Sequence, residues 1–502
     1  MRDNQNVTTL KALFFLLLLN LVPGVVWSQS NNWHYSIEGQ GIVSPSGKLP
    51  FWFRANQYGS VPLPGTSGSL LGAIYKDYDT TRKHKIDWGA GFETRANFGK
   101  GSNLTLIEGY VKGRLGVFEL KAGRAKEIVG LVDSTLSTGA FSVSGNALGI
   151  PKVELSIPDY YSIHFLGDLF AIKGGYAFGY VGDLGLTHGL VDHAETYYQQ
   201  EQLYGRFGKP NWRLKLYGGI NHEVYYGGEK NIYGSNVFLL SPFQSLIYAA
   251  IGKTYNSPKN VNNRGAQSKV GNHLGSVDLG LEYSFSSVRL MLYRQSIYDV
   301  GALFHLANIA DGINGLSLTN TSKDTHVVNW HKVLFEFVYT VDQAGYFDST
   351  ESKSGDEDYY NNSMYLTGWS YKGLNVGNPL VTDRRYARST LATDPDDYFI
   401  NNRVRAFNLG FEGSVSMINV LLKLTYSNNY GTYGTSPEGH SLGGHHSVPK
   451  YGLFGQVNQF SGYLEANKAL SKGYHLGVAI AGDDGGLYYN SLGVLLKLSR
   501  AF

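Results

Sequence analysis

The chain has 502 residues with a formal net charge of +3, 63 Gly, 37 Tyr, 14% aromatic residues and no Cys. So small a charge gives a nucleic-acid backbone little to bind, and without Cys there is no lipoprotein acylation site, disulfide framework or thiolate metal site. Beyond the N-terminal leader no apolar run reaches the roughly 18 residues a membrane helix needs, so the Gly- and aromatic-rich composition points to strands, tight turns and interfacial girdles.

In chain order, Arg2 and Lys11 head an apolar run from Ala12 to Leu19 that resumes after Asn20 and closes at Val26-Trp27-Ser28. Asn20, Pro23 and Gly24 interrupt the run, so residues 1–28 read as a secretory signal peptide rather than a membrane anchor. Residues 29–66 are less regular and lead into a barrel wall or a plug; residues 67–502 read as the barrel, with plug elements and long extracellular loops. Ile86, Trp88, Ala90 and Phe92 alternate with Asp87, Gly89, Gly91, Glu93, Arg95 and Asn97. That is the period of two expected when one face meets lipid and the other a polar lumen. Further on, Ile107, Gly109, Val111, Gly113 and Leu115 form one face, and Glu108, Tyr110, Lys112 and Arg114 the other. Charges of mixed sign on such a face pair with each other or with a plug more often than they line an open pore.

Short connections at 208–211, 284–287, 412–416 and 470–473 are separated by long polar or Gly-rich stretches at 224–272, 298–325, 342–401 and 428–450. Short turns at one rim and long loops at the other are the asymmetry of bacterial outer-membrane barrels, with the long loops outside the cell. Gln459 to Asn467 alternates, turns at Leu470-Ser471-Lys472-Gly473 and resumes with Tyr474, Leu476, Val478 and Ile480, a hairpin. The chain ends with Val494, Leu496, Leu498, Arg500 and Phe502 on one face, and the terminal aromatic looks like an outer-membrane assembly signal. The length left after a 28-residue leader suits roughly 16 to 18 antiparallel strands in one domain.

Several segments resemble the capsule-assembly Wzi family in its Bacteroidetes form. They are Leu49-Pro50-Phe51-Trp52-Phe53-Arg54-Ala55-Asn56-Gln57-Tyr58-Gly59, the small-residue stretch Ser137 to Ala147 with Ile150-Pro151, Leu203 to Pro210, and Asn221-His222 with Gly227-Gly228. Later come Leu292-Tyr293-Arg294-Gln295, Asn308, Asp311-Gly312, Gly315-Leu316-Ser317-Leu318, Tyr359-Tyr360-Asn361-Asn362, Gly368 to Gly373, Gly377-Asn378-Pro379 and Asn401-Asn402-Arg403-Val404-Arg405. Each is weak alone; their consistent order makes the resemblance specific. It implies an all-β transmembrane protein, an outer-membrane barrel of about 18 strands whose lumen is plugged by a small helical bundle and folded loops, with Ser137 to Ile150 as a plug element. It also implies a lectin-like surface protein that attaches and organises capsular polysaccharide or exopolysaccharide, without catalysis or cofactor.

A polysaccharide receptor needs flat aromatic faces for sugar rings and planar hydrogen-bonding groups for hydroxyls and carboxylates. The expected outer loops offer Tyr225, Tyr226 and Tyr233, and then Tyr359, Tyr360, Trp369, Tyr371, Arg384 and Arg385. The competing reading is that these rings form the girdle or pack the loops shut. His440, His445 and His446 cluster without a Cys or a carboxylate at fixed spacing, so they read as a solvated loop rather than a metal site. His222-Glu223 lacks a second His at position 226, so it is no zinc-protease motif. Among functions, surface-polysaccharide attachment by a monomer in the outer-membrane lipid stands first, a porin or sugar-specific channel second and a barrel hydrolase last, since no nucleophile, base and orienter assemble from local motifs.

Overall fold

The computed structural model describes residues 32–79, 85–258, 267–299, 301–323, 326–346, 355–438 and 449–502. The leader at 1–28 and His440, His445 and His446 lie outside the described residues.

Alternation of apolar and polar residues builds one 18-stranded antiparallel sheet that closes on itself. In chain order its strands are β1 (Trp33–Lys48), β2 (Pro64–Lys76), β3 (Ile86–Gly99), β4 (Asn103–Leu115), β5 (Phe118–Arg124), β6 (Lys152–Ser162), β7 (Phe170–Gly185), β8 (His193–Phe207) and β9 (Leu214–Tyr226). The second half is β10 (Asn272–Ser284), β11 (Val288–Tyr298), β12 (Gly312–Asn320), β13 (Val328–Tyr339), β14 (Val404–Val415), β15 (Ile418–Asn429), β16 (Val457–Ala469), β17 (Tyr474–Gly485) and β18 (Ser491–Ala501). Closure is made by β1 against β18, from Ser36 opposite Ala501 to Val43 opposite Val494. The first strand therefore lies within the 29–66 segment expected only to lead into the wall or plug. His34–Phe502 form one compact unit.

Because neighbouring strands run antiparallel, connections alternate between rims. Residues 116–117, 163–169, 208–213, 285–287, 416–417 and 470–473 turn at one rim, and 49–63, 125–151, 227–271, 299–311, 340–403 and 430–456 leave the other. Leu104, Val111, Leu279, Leu464, Ile480 and Leu496 are exposed on the outer surface, where lipid covers them. No described helix is long and apolar enough to cross a membrane; the chain crosses by strands. Phe170 packs edge-on to Phe207, which meets Trp212 near the short-turn rim, and Tyr197 contacts Phe178 and Tyr180 towards the other. At about 3.4 Å per residue and a tilt of about 40°, Phe170 to Tyr180 spans roughly 25 Å, the height of an apolar band between aromatic girdles.

Two local readings change. Glu93 pairs with Glu108 but Thr94 pairs with Leu106, so Ile107 is the extra residue of a β-bulge in β4. Ile107 turns inward, 3% exposed, while Leu104, Leu106, Val111 and Leu115 face out; the simple alternation that placed Ile107 on the lipid face slips at the bulge. The stretch 298–325, read as one long loop, contains β12, which pairs with β11 and β13. Asn314, Gly315 and Asn320 hide its period. A Cβ on Gly315 would meet the Tyr293 ring at 2.0 Å, so glycine is required where that ring crosses the strand.

Ile480 sits between Leu464 and Val494 on the lipid face. Ile480→Arg is expected to cost about 2–4 kcal/mol, whereas Leu470→Arg in a short turn should change stability by under about 0.5 kcal/mol. Urea unfolding in bilayers checks both.

Candidate functional site

The lumen is filled, and the filling comes from the connections. From Leu136 to Leu148 every residue is buried, and this stretch joins α1 (Phe51–Arg54) and rings from 340–403 in one apolar cluster with the inner wall. The expected occlusion is present, but irregular chain does most of it where the resemblance implies a small helical bundle. The helices α2 (Glu229–Tyr233) and α3 (Pro242–Ala250) belong to the 227–271 loop.

Irregular backbone leaves N–H and C=O groups without ladder partners, and buried ones must be satisfied. Carboxylates of the wall accept many of them. Glu336 accepts from Ser137 Oγ at 2.6 Å, Thr138 N at 2.8 Å, Thr138 Oγ1 at 2.5 Å and Tyr293 Oη at 2.7 Å. Asp278 accepts from Leu131 N at 2.9 Å, Asp483 from Phe51 N at 2.8 Å and Glu108 from Lys126 N at 2.7 Å. Plug side chains answer others: Asn378 Nδ2 donates to Gly139 O at 2.6 Å, Asn146 Nδ2 to Asn375 O at 3.1 Å and the Ser144 hydroxyl to Gly377 O at 2.6 Å. The lumen-face charges pair as well: Glu93 with Lys126 at 2.5 Å, Lys112 with Glu119 at 3.9 Å, Arg114 with Asp87 at 3.5 Å, while Arg95 donates to Gln40 at 2.7 Å.

The structure puts most of the residues singled out for sugar binding inside this core. Tyr225, Tyr359, Tyr360, Trp369 and Tyr371 are buried in it; Tyr225 and Tyr226 belong to β9 rather than to an outer loop, Tyr226 is buried in a separate cluster with Val224 and Ala249, and Tyr233 is half-buried against Phe238. Trp369 stacks on Tyr225, ring centroids 4.2 Å apart, and donates from Nε1 to Ser142 O at 2.8 Å. Tyr360 donates to the Phe141 carbonyl, Tyr359 to Asp311 at 2.6 Å, and Arg124 donates to Tyr371 Oη at 2.7 Å. The faces meant for pyranose rings are spent on one another, because filling a wide lumen takes large side chains with polar tips that find partners. Only Arg384 and Arg385 of that set are exposed. Arg384 Nη2 donates to the carbonyls of Asp394 at 2.7 Å and Asp397 at 3.1 Å, and Arg385 grips Asp383 through Nε at 3.0 Å and Nη2 at 2.7 Å.

Beside Arg385, at the long-loop rim, lies a cleft of about 230 Å³ lined by Lys48, Arg54, Leu63, Tyr386, Asp483, Tyr488 and Tyr489 among others. The Arg54 guanidinium sits 3.7 Å from the Tyr386 ring centroid and 4.9 Å from that of Tyr488, and Lys48 Nζ is 4.7 Å from that of Tyr489. Apart from Arg385, these residues escape sequence reasoning because they come from separate strand ends and connections; the one signal was Arg54, which lies within the Leu49 to Gly59 motif.

A closed, occluded β-barrel whose long loops gather at one rim defines an outer-membrane protein that presents a sealed face to the outside. The chain belongs to the capsule assembly protein Wzi family, whose model matches residues 29–391. No curated protein sequence matches it. Among solved structures it is similar to OccAB2 of Acinetobacter baumannii, with a TM-score of 0.45 and 10% identity over 94% of this chain and 97% of that one. It is also similar to OccD3 (OpdP) of Pseudomonas aeruginosa, with a TM-score of 0.41 and 11% identity over 94% of this chain and 91% of that one.

Glu336→Ala leaves the Ser137, Thr138 and Tyr293 donors buried and unanswered, at about 1–3 kcal/mol each. The variant is expected to loosen the 125–151 segment and show ion conductance in planar bilayers well above wild type, with Glu336→Gln in between. Asp311, in the 299–311 connection, accepts from Asp342 N at 3.0 Å, Gln343 N at 2.7 Å and Tyr359 Oη at 2.6 Å. Burial still raises it from 3.8 to about 7, against those hydrogen bonds. The folded state thus holds a proton that the unfolded state has released. Its contribution is full below about pH 4 and is lost as pH rises towards 7, by at most about 1.4 kcal/mol per pH unit. Thermal unfolding from pH 4.5 to 7.5 should show a shallower decline for Asp311→Asn than for wild type.

Proposed function

We propose that this protein is a lectin-like anchor that holds and organises capsular polysaccharide or exopolysaccharide on the cell surface, acting as a monomer in the outer-membrane lipid. The observation that carries the reading is the filled lumen. An 18-stranded wall is wide enough for an aqueous channel if left empty, yet here the loops pack it with an apolar core and donate to wall carboxylates such as Glu336 and Asp278. Such a molecule is suited to display rather than to conduction, and membership in a capsule-assembly family supports the same direction.

In this reading the buried rings Tyr225, Tyr226, Tyr359, Tyr360, Trp369 and Tyr371, with half-buried Tyr233 beside them, stiffen the loops from beneath. Arg384, Arg385 and their neighbours meet the glycan. A rigid platform limits the ordering cost of binding a flexible chain.

Deleting the protein is expected to move cell-bound polysaccharide into the medium, and re-expression to restore attachment, as measured by the ratio of cell-bound to released polysaccharide. Polysaccharide that stays attached after deletion, together with large solute-blocked conductance of the pure protein, would return the reading to a channel.

A further inference from the structure

Resting on the attachment reading above, we propose that the rim cleft holds one carboxylate-bearing sugar unit of the surface polysaccharide, its acid group seated against Arg54 and Lys48. Arg54 is 9% exposed and makes no salt bridge among the described residues, although the Asp483 carboxylate in the same cleft interacts with its charge. A buried cation is costly unless its charge is fully answered. The Phe51, Tyr386 and Tyr488 rings do so in part, through centroid distances of 5.3, 3.7 and 4.9 Å.

The acids at the cleft are otherwise engaged. Asp483 accepts from Phe51 N at 2.8 Å, Ser461 Oγ at 2.6 Å and Ser491 Oγ at 3.3 Å. Asp383 is bound at both oxygens by Arg385. Lys48 has no acid partner among the described residues, and Arg388, 5.4 Å from the Tyr489 ring centroid, gives its N–H groups to the Tyr488 and Gly485 carbonyls and to Asn490 Oδ1. The cleft therefore sets Lys48, Arg54 and Arg385 against the single acid Asp483, a net positive field beside aromatic walls, and its 230 Å³ lies below the roughly 300–1,000 Å³ of pockets for drug-sized ligands. That volume suits a single pyranose unit. A carboxylate satisfies a guanidinium's planar fork, while the ring's C–H face packs on tyrosine; a neutral sugar gains nothing from the excess positive charge. The walls come from the ends of β1, β2 and β17 and from the connections 49–63, 340–403 and 486–490, all at the long-loop rim, so a chain passing over the barrel reaches the cleft from outside.

The test uses the full chain in lipid nanodiscs and polysaccharide purified from the same cells, either intact or with its carboxyl groups reduced to alcohols. Calorimetry is expected to show at least about tenfold weaker binding of the reduced polymer and a fall in affinity for the intact one as salt rises. Lys48→Gln, at an exposed position that folding does not require, should weaken the intact polymer by about threefold or more and leave the reduced polymer unaffected. Lys48→Gln with Arg54→Gln should erase the difference between the two polymers, with heat-modifiable gel mobility confirming a folded barrel. Equal binding of both polymers, or Lys48→Gln without effect, overturns this proposal and leaves the attachment reading standing. Binding of neither polymer overturns the attachment reading as well. Competition by purified lipopolysaccharide but not by free polysaccharide assigns the cleft to a membrane glycolipid and also overturns the proposal.

Discussion

Hydrocarbon offers no partner to a peptide N–H or C=O, so a chain that crosses a membrane by strands must leave no open edge. Here that requirement is met where β1 meets β18, the first and last strands of the wall. The rest of the architecture follows from the closure. An even number of antiparallel strands puts both ends of the wall at one rim and sorts the connections, and every inward side chain faces a space that lipid cannot fill.

That space is the second problem, because wall side chains alone do not reach across a bore of 18 strands. Connections from the long-loop rim enter it, and as irregular chain they bring unanswered backbone groups. Glu336, Asp278, Asp483 and Glu108 each take a backbone N–H from an entering segment. The polar inner face that would wet a channel thereby holds the occlusion in place, and the bulge at Ile107 turns one more apolar side chain inward beside Glu108.

With the core built largely from loop aromatics, the surface left exposed at the long-loop end is the rim above it. Tyr359, Tyr360, Trp369 and Tyr371 fix the long 340–403 connection from below, and its Arg385 and Tyr386 complete a cleft with α1 and the turn before β18. Under the proposed attachment role, burial and recognition are divided within one loop. The rings contribute rigidity, and the cations near them contribute charge.

The barrel was legible because alternation is local: Ile86 to Asn97, the hairpin around Leu470 to Gly473 and the sorted loop lengths each carry their signal within a few residues. Beta-branched and aromatic faces broken by glycine and asparagine, as in β12, lose that signal, and a bulge reverses it. The sites were less legible. Tyrosine and tryptophan suit a sugar platform and a buried core equally well, and which they become depends on what lies opposite them in space. The sequence by itself determined a membrane-crossing antiparallel barrel with long loops at one rim, since period-two patterning and turn spacing are properties of neighbouring residues. Tertiary structure alone decided that the lumen is closed, that the loop rings are buried, and that Lys48, Arg54 and Tyr488 share one cleft, because those outcomes depend on contacts between segments hundreds of residues apart.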